Sequence, residues 1–258
     1  MFPVIFEYGR FVLYTYGFFI ALGLIAAILL VRREGKRLGL DPNRLTDLCF
    51  YLVIASILGS RLFFVALNYE YFIQAPFEIF KIWSGGLVFY GGFIVGFATA
   101  ISLVRVYRLP LGKVADIAGL AIPLGHFFGR LGCFSAGCCY GKPSELPWAV
   151  TFSHPEALVD PEHLYVPLHP TQLYSAAANL FIFLVLMGLR KKKRFHGQIF
   201  LFYIFFYGLL RSVIEIFRGD DRGGLVMGVL SVSQVLGISI AVFSLAVLVF
   251  LGIKARRV

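Results

Sequence analysis

The 258-residue chain is 59% hydrophobic and 17% aromatic but only 15% charged, where a soluble domain carries about 25% charged residues. That excludes an ordinary water-soluble enzyme, a disordered chain and a nucleic-acid binder of the basic-patch kind, and it points to an integral membrane protein. Four cysteines are too few for a disulfide scaffold, and the net charge of +10 has to find its explanation in the loops.

A membrane-spanning helix needs about 20 mostly apolar residues. In chain order the qualifying stretches are 11–31; 45–67, with Asp47 and Arg61 inside it; 85–104; 114–134, with Asp116, His126 and Arg130; 171–189; 197–217, with Arg211 and Glu215; and 229–253. The fold class expected is therefore all-α: one polytopic membrane domain over residues 1–258 with seven transmembrane helices. The connection between the fourth and fifth spans, 137–170, carries six prolines and three of the five histidines. It reads as an ordered extracytoplasmic cap. Before the first span stand Glu7 and Arg10, without a basic leader or small-residue cleavage site, so the first helix is expected to stay. No internal repeat is evident, which speaks against the inverted-repeat transporter plans.

The basic residues are distributed unevenly. Arg32, Arg33, Lys36, Arg37 and Arg44 follow the first span, Arg105, Arg108 and Lys113 the third, Arg190 to Arg194 (RKKKR) the fifth, and Lys254, Arg256 and Arg257 the last. The opposite connections hold only Arg10, Lys81, Lys142, Arg218 and Arg222. Positive charge stays in the cytoplasm, so the N-terminus is expected outside and the C-terminus inside.

Three basic residues remain, each inside a span. Arg61, Arg130 and Arg211 lie 16, 16 and 14 residues along spans that all run outward, which places them at one depth in the outer half of the bilayer. An arginine there costs a few kcal/mol, so function is the default reading. Snorkelling or structural pairing is the bland one, and Arg211 has Glu215 one turn on, with Arg218 a second partner for that glutamate. Three guanidiniums and one local carboxylate suggest an anionic ligand, and a phospholipid headgroup is the anion available at that level. Gly125 and Gly129, leading to Arg130, and the glycines from Gly85 to Gly96 suit close helix packing.

The run Gly129-Arg130-Leu131-Gly132-Cys133-Phe134-Ser135-Ala136-Gly137-Cys138-Cys139-Tyr140-Gly141 resembles the signature of the prolipoprotein diacylglyceryl transferases, G-R-x-G-N-F-x-N-x-E-x-x-G. Further blocks resemble that family in order along the chain: Tyr16-Gly17, Gly59-Ser60-Arg61, Gly85-Gly86-Leu87 with Phe89-Tyr90-Gly91-Gly92, His169-Pro170-Thr171-Gln172-Leu173-Tyr174, and Tyr207-Gly208-Leu209-Leu210-Arg211 with Glu215 and Arg218. The resemblance implies a bacterial inner-membrane enzyme that moves the diacylglyceryl group of phosphatidylglycerol onto the lipobox cysteine of a preprolipoprotein signal peptide and releases glycerol phosphate. It implies no cofactor and no metal. Arg130 would bind the phosphatidylglycerol headgroup and Arg211 would stabilise phosphate or thiolate. Tyr16, Arg61, Tyr207, Glu215, Gly141 and His169 would line or shape the site.

The chain departs from the pattern at Cys133 (for Asn), Cys138 (for Glu) and Tyr90 (for a histidine that is a candidate base). Tyrosine, with an ordinary pKa near 10, is a poor base at neutral pH. Either another group serves, His126 and His169 being the candidates, or the thiol ionises unaided in the field of the arginines. For His126 a packed role is the alternative to a catalytic one. Cys133, Cys138 and Cys139 leave four readings open: small packing residues, a disulfide, a metal site with His126, or a relay nucleophile. The spacing C-x4-C-C is not a recognised zinc pattern, and Cys49 reads as packing. A second function class therefore stands beside the transferase, a divergent relative using the cysteines for redox or metal chemistry.

Overall fold

The computed structural model describes residues 3–9, 11–219, 225–226 and 230–255; Arg10, Arg222, Arg256 and Arg257 of the charge count lie outside them. The chain begins with an antiparallel hairpin, β1 (Val4–Tyr8) and β2 (Phe11–Tyr14), followed by α1 (Thr15–Arg37), α2 (Pro42–Leu67) and the short α3 (Tyr69–Gln74). Two 3-10 turns, Pro76–Phe80 and Ile82–Ser84, lead to α4 (Phe89–Val106) and α5 (Leu111–Ala136). The cap contains β3 (Val150–Thr151), a 3-10 turn and β4 (Pro167–Leu168). Then come α6 (Thr171–Leu189), α7 (Gln198–Glu215), the ribbon of β5 (Leu225–Val226) and β6 (Leu230–Ser231), and α8 (Val232–Lys254). Seven of these helices are long and apolar enough to cross a membrane, and the strands form only two-stranded ribbons. The molecule is an all-α polytopic membrane protein.

Local chemistry moves several span boundaries. The span expected from residue 11 starts at Thr15, because the aromatic and β-branched run Phe11–Tyr14 pairs with Val4–Tyr8 across a turn in which Gly9 takes φ +59. The span expected from 85 starts at Phe89, since Gly85 and Gly86 sit at φ +82 and +73, outside the right-handed helical region. α2 begins earlier than expected, at Pro42, with Asp41 as N-cap accepting from the Asn43 amide at 2.8 Å. α7 starts after Gly197, at φ +94, and α8 after Ser231, whose capping box with Gln234 satisfies the first turn.

The chain divides into two compact units, Val31–Val114 and the remainder, Met1–Leu30 with Ala115–Val258. In the smaller unit α2 and α4 meet through small residues, as expected where lipid removes the hydrophobic drive between helices. A Cβ on Gly59 would stand 2.6 Å from Val95 Cβ and 2.7 Å from Gly91 O, and one on Gly96 2.5 Å from Ser56 Oγ. In the larger unit the same device joins α7 to α8, where a Cβ on Gly208 would lie 2.5 Å from Gly237 O. An apolar cluster of Leu30, Leu120, Ile182, Leu186, Ile199 and Tyr203 fills its centre. Asp116, at the beginning of α5, is buried and accepts from Lys193 Nζ at 2.5 Å and the Ile199 amide at 2.8 Å. That pair puts the start of α5 and the RKKKR connection at the same end of the unit, as the charge distribution requires.

The cap is ordered. Tyr140, Phe152, Val159 and Leu168 form a small core of its own, Tyr140 bonds Asp160, and Val150–Thr151 pairs with Pro167–Leu168.

Candidate active site

Arg130 on α5 and Arg211 on α7 line one narrow cleft in the larger unit, together with Tyr207 of α7 and Ser175 and Asn179 of α6. Ala178, Ile182, Leu210 and Ile214 make its apolar wall. Arg211 pairs with Glu215 one turn on, both side chains largely buried, and Glu215 also accepts from Ser231 Oγ at 3.3 Å. The carboxylate thus holds Arg211 in place and leaves Arg130 as the guanidinium without an ion pair among the described residues. The rings of His126 and Tyr207 stand 5.6 Å apart, with Tyr203 another 5.6 Å beyond, and Asn179 interacts with His126 while donating to Ser175 O at 2.8 Å. Four of the residues singled out in the sequence, Arg130, Arg211, Tyr207 and Glu215, are brought together here, with His126 packed against them.

Just beyond Arg130 the last turn of α5 carries Cys133. The chain then turns through Gly137 at φ +80 and Cys139 at φ +63, folding Cys138 and Cys139 back toward it. The three Sγ atoms lie within 4.8 Å of one another. Thr171 Oγ1 donates to Cys139 O at 2.8 Å and Gln172 Nε2 to Cys138 O at 2.9 Å, and both side chains are fully buried. A left-handed φ at a cysteine is strained backbone held by such contacts. Outside the helix, hydrogen bonds from the Cys133 and Cys138 thiols, with Arg218 beside it, hold the Cys139 thiol far below its ordinary range, whereas hydrogen bonding to Cys133 and Cys139 and burial push Cys138 up. Tyr16 of α1 lies in the field of all three thiols and of Arg130, and Gly132 admits it: a Cβ there would be 3.2 Å from Tyr16 Cδ2. Ala136, standing at the signature's second asparagine, is buried.

Gly141 joins the cap to the end of α7. Its amide donates to His169 O at 3.0 Å, it bridges to Arg218, and a Cβ would meet His169 Cβ and Phe217 O at 2.6 Å. His169 itself stands 3.2 Å from the Tyr174 hydroxyl through Nδ1 and packs on Phe217. Both residues shape the junction.

Arg61 and Tyr90 belong to the smaller unit. In the sequence Arg61 has no evident partner in its helix and stands among the residues that would line or shape the site. In the structure its guanidinium is spent on backbone: Nε donates to Ile79 O at 2.9 Å, Nη1 to Gly85 O at 2.8 Å and Gly86 O at 3.2 Å, and Nη2 to Glu78 O at 2.5 Å. The rings of Phe64 and Phe72 flank it at 5.5 and 5.4 Å. Four of its five N–H donors are thereby committed to holding residues 78–86. Tyr90 is exposed on the first turn of α4, edge-on to Phe89.

Ser175, Asn179, Thr171 and Gln172 escaped notice as individual residues because the fifth span looked clean. The available signal was polarity, since an asparagine in the middle of an otherwise apolar span needs a partner.

The model of the prolipoprotein diacylglyceryl transferase family matches residues 3–250. The chain belongs to that family. Among its relatives, the phosphatidylglycerol–prolipoprotein diacylglyceryl transferase of Geobacter sulfurreducens is 35% identical over 99% of this chain and 96% of its own length. The transferase of the same name from Clostridium tetani is 34% identical over 90% of each chain, and that of Synechocystis sp. is 33% identical over 99% of this chain and 91% of its own. The protein is a transferase of this membrane family, and the redox or metal alternative is not favoured as its activity.

Proposed function

We propose that the chain transfers the diacylglyceryl group of phosphatidylglycerol to the lipobox cysteine of preprolipoprotein signal peptides, in a bacterial cytoplasmic membrane, with its N-terminus outside and its C-terminus in the cytoplasm. The observation that carries the reading is the convergence of Arg130 and Arg211 on one cleft. The peptide thiolate attacks the glyceryl carbon, a carbon–sulfur bond forms as the carbon–oxygen bond to phosphate breaks, and glycerol phosphate leaves with the electron pair. Negative charge grows on the phosphate during that step, and donors fixed in advance around it lower the barrier. Arg130, with no ion pair among the described residues, takes the phosphate through its fork. Arg211, oriented by Glu215, faces the same anion or the incoming thiolate. Tyr207 lines the cleft and Tyr16 lies in the field of Arg130, while Gly141 and His169 join the 137–170 connection to the chain just past α7.

Among the described residues, Glu215 is the carboxylate that meets this group, and it is engaged by Arg211 and Ser231, so thiol ionisation rests on the two guanidiniums or on His126, which packs against Tyr207. Within the smaller unit, Arg61 braces residues 78–86. The test is transfer itself. Purified protein is mixed with phosphatidylglycerol vesicles and a lipobox peptide, and peptide mass is followed. A diacylglyceryl gain on the cysteine peptide, absent from a Cys-to-Ala peptide, supports the reading. No gain from folded, lipid-bound protein rejects it.

A further inference from the structure

We propose that Cys133, Cys138 and Cys139 form a three-thiolate site for a soft d10 metal ion, Zn(II) or Cu(I), at the junction of α5 and the cap, separate from the lipid-transfer chemistry. The three Sγ atoms already lie within 4.8 Å of one another. With metal–sulfur bonds of about 2.3 Å, the sulfurs of a trigonal site stand about 4 Å apart, so ligation asks for less than an ångström of side-chain movement.

The backbone explains how a spacing without a zinc pattern achieves this. Cys133 lies in the last turn of α5, and the left-handed residues Gly137 and Cys139 reverse the chain so that the later thiols come back to the earlier one. Buried Thr171 and Gln172 grip the carbonyls of Cys139 and Cys138, the supporting shell that orients metal ligands. Three thiolates around Zn(II) or Cu(I) leave net negative charge on the complex. Arg218 beside Cys139 and Arg130 near Cys133 offset it. An all-sulfur donor set prefers such ions to Mg(II) or Ca(II). As each metal–sulfur bond forms, any thiol still protonated gives its proton to solvent. Among the described residues, His126 is not part of the group, so the three sulfurs would be the protein's ligands, sufficient for trigonal Cu(I) and completed by solvent for Zn(II).

The experiment uses untagged full-length protein, reduced and in detergent micelles, titrated with Cd(II) as a spectroscopic stand-in and with Zn(II) for stoichiometry. One ion per chain and an ultraviolet thiolate-to-metal charge-transfer band are expected. Cys49→Ser should leave both unchanged. Each of C133S, C138S and C139S, checked by thermal unfolding, should bind at least tenfold more weakly, and the triple variant at least a hundredfold. Absence of the band, or unaltered affinity in all three single variants, overturns the site, as does a disulfide between any two of these cysteines in protein purified without reductant. The readout is metal binding, so its failure leaves the lipid-transfer reading untouched.

Discussion

At the scale of the residue, Arg130 and Arg211 differ in what surrounds them. Arg211 is paired with Glu215, and Arg130 lines the cleft with no ion pair among the described residues. Replacing Arg130 with Ala should lower transfer at least about 100-fold while the protein still inserts, the scale set by loss of one preorganised donor to a developing anion. Lys should restore only part, because an ammonium cannot reproduce the fork. Near-normal turnover of R130A in the peptide-mass assay would remove it from the site. Cys139 offers a second check at this scale. With its thiol held well below the ordinary value of 9.0, it stays ionised as pH falls through the range where a normal thiol protonates. Iodoacetamide labelling should therefore persist at mildly acidic pH for Cys139 and fade for Cys138, as read by peptide mapping. A profile for Cys139 that falls off below pH 9 like that of a free thiol contradicts the assignment.

Elements in this molecule are joined by small residues and by single polar braces. Removing the Arg61 guanidinium strips the donors from Ile79, Gly85, Gly86 and Glu78 carbonyls at once. R61A should cost on the order of 2–3 kcal/mol, since charge-assisted hydrogen bonds to several carbonyls are lost together. Thermal unfolding would register the loss, and proteolysis should concentrate between residues 75 and 88. Unchanged melting and cleavage would mean that the 3-10 turns hold themselves. Gly141→Ala is the corresponding change at the cap: its methyl would meet His169 Cβ and Phe217 O at 2.6 Å. Overpacking of that kind costs about 1–3 kcal/mol, so a lowered melting temperature is expected together with reduced transfer.

For the whole molecule, the burial of Asp116 against Lys193 ties the start of α5 to the basic connection after α6. D116A leaves Lys193 without its buried partner and should destabilise the larger unit by about 3–5 kcal/mol; a melting temperature equal to wild type would show that the pair contributes nothing. The sequence by itself determined the membrane class, the seven spans, the arginines and the family, because length, hydropathy and a motif of contiguous residues are properties of the chain before it folds. Even α6 came out as expected, its limits marked by Pro170 and by the basic run from Arg190. Tertiary structure alone decided that Phe11–Tyr14 pair as a strand, that Arg61 braces residues 78–86, that Asn179 lines the cleft, and that three cysteines with an unpromising spacing meet. The physical reason is the same in each case: which partner satisfies a polar group or an unpaired backbone is settled by residues distant in sequence, and no local pattern encodes that choice.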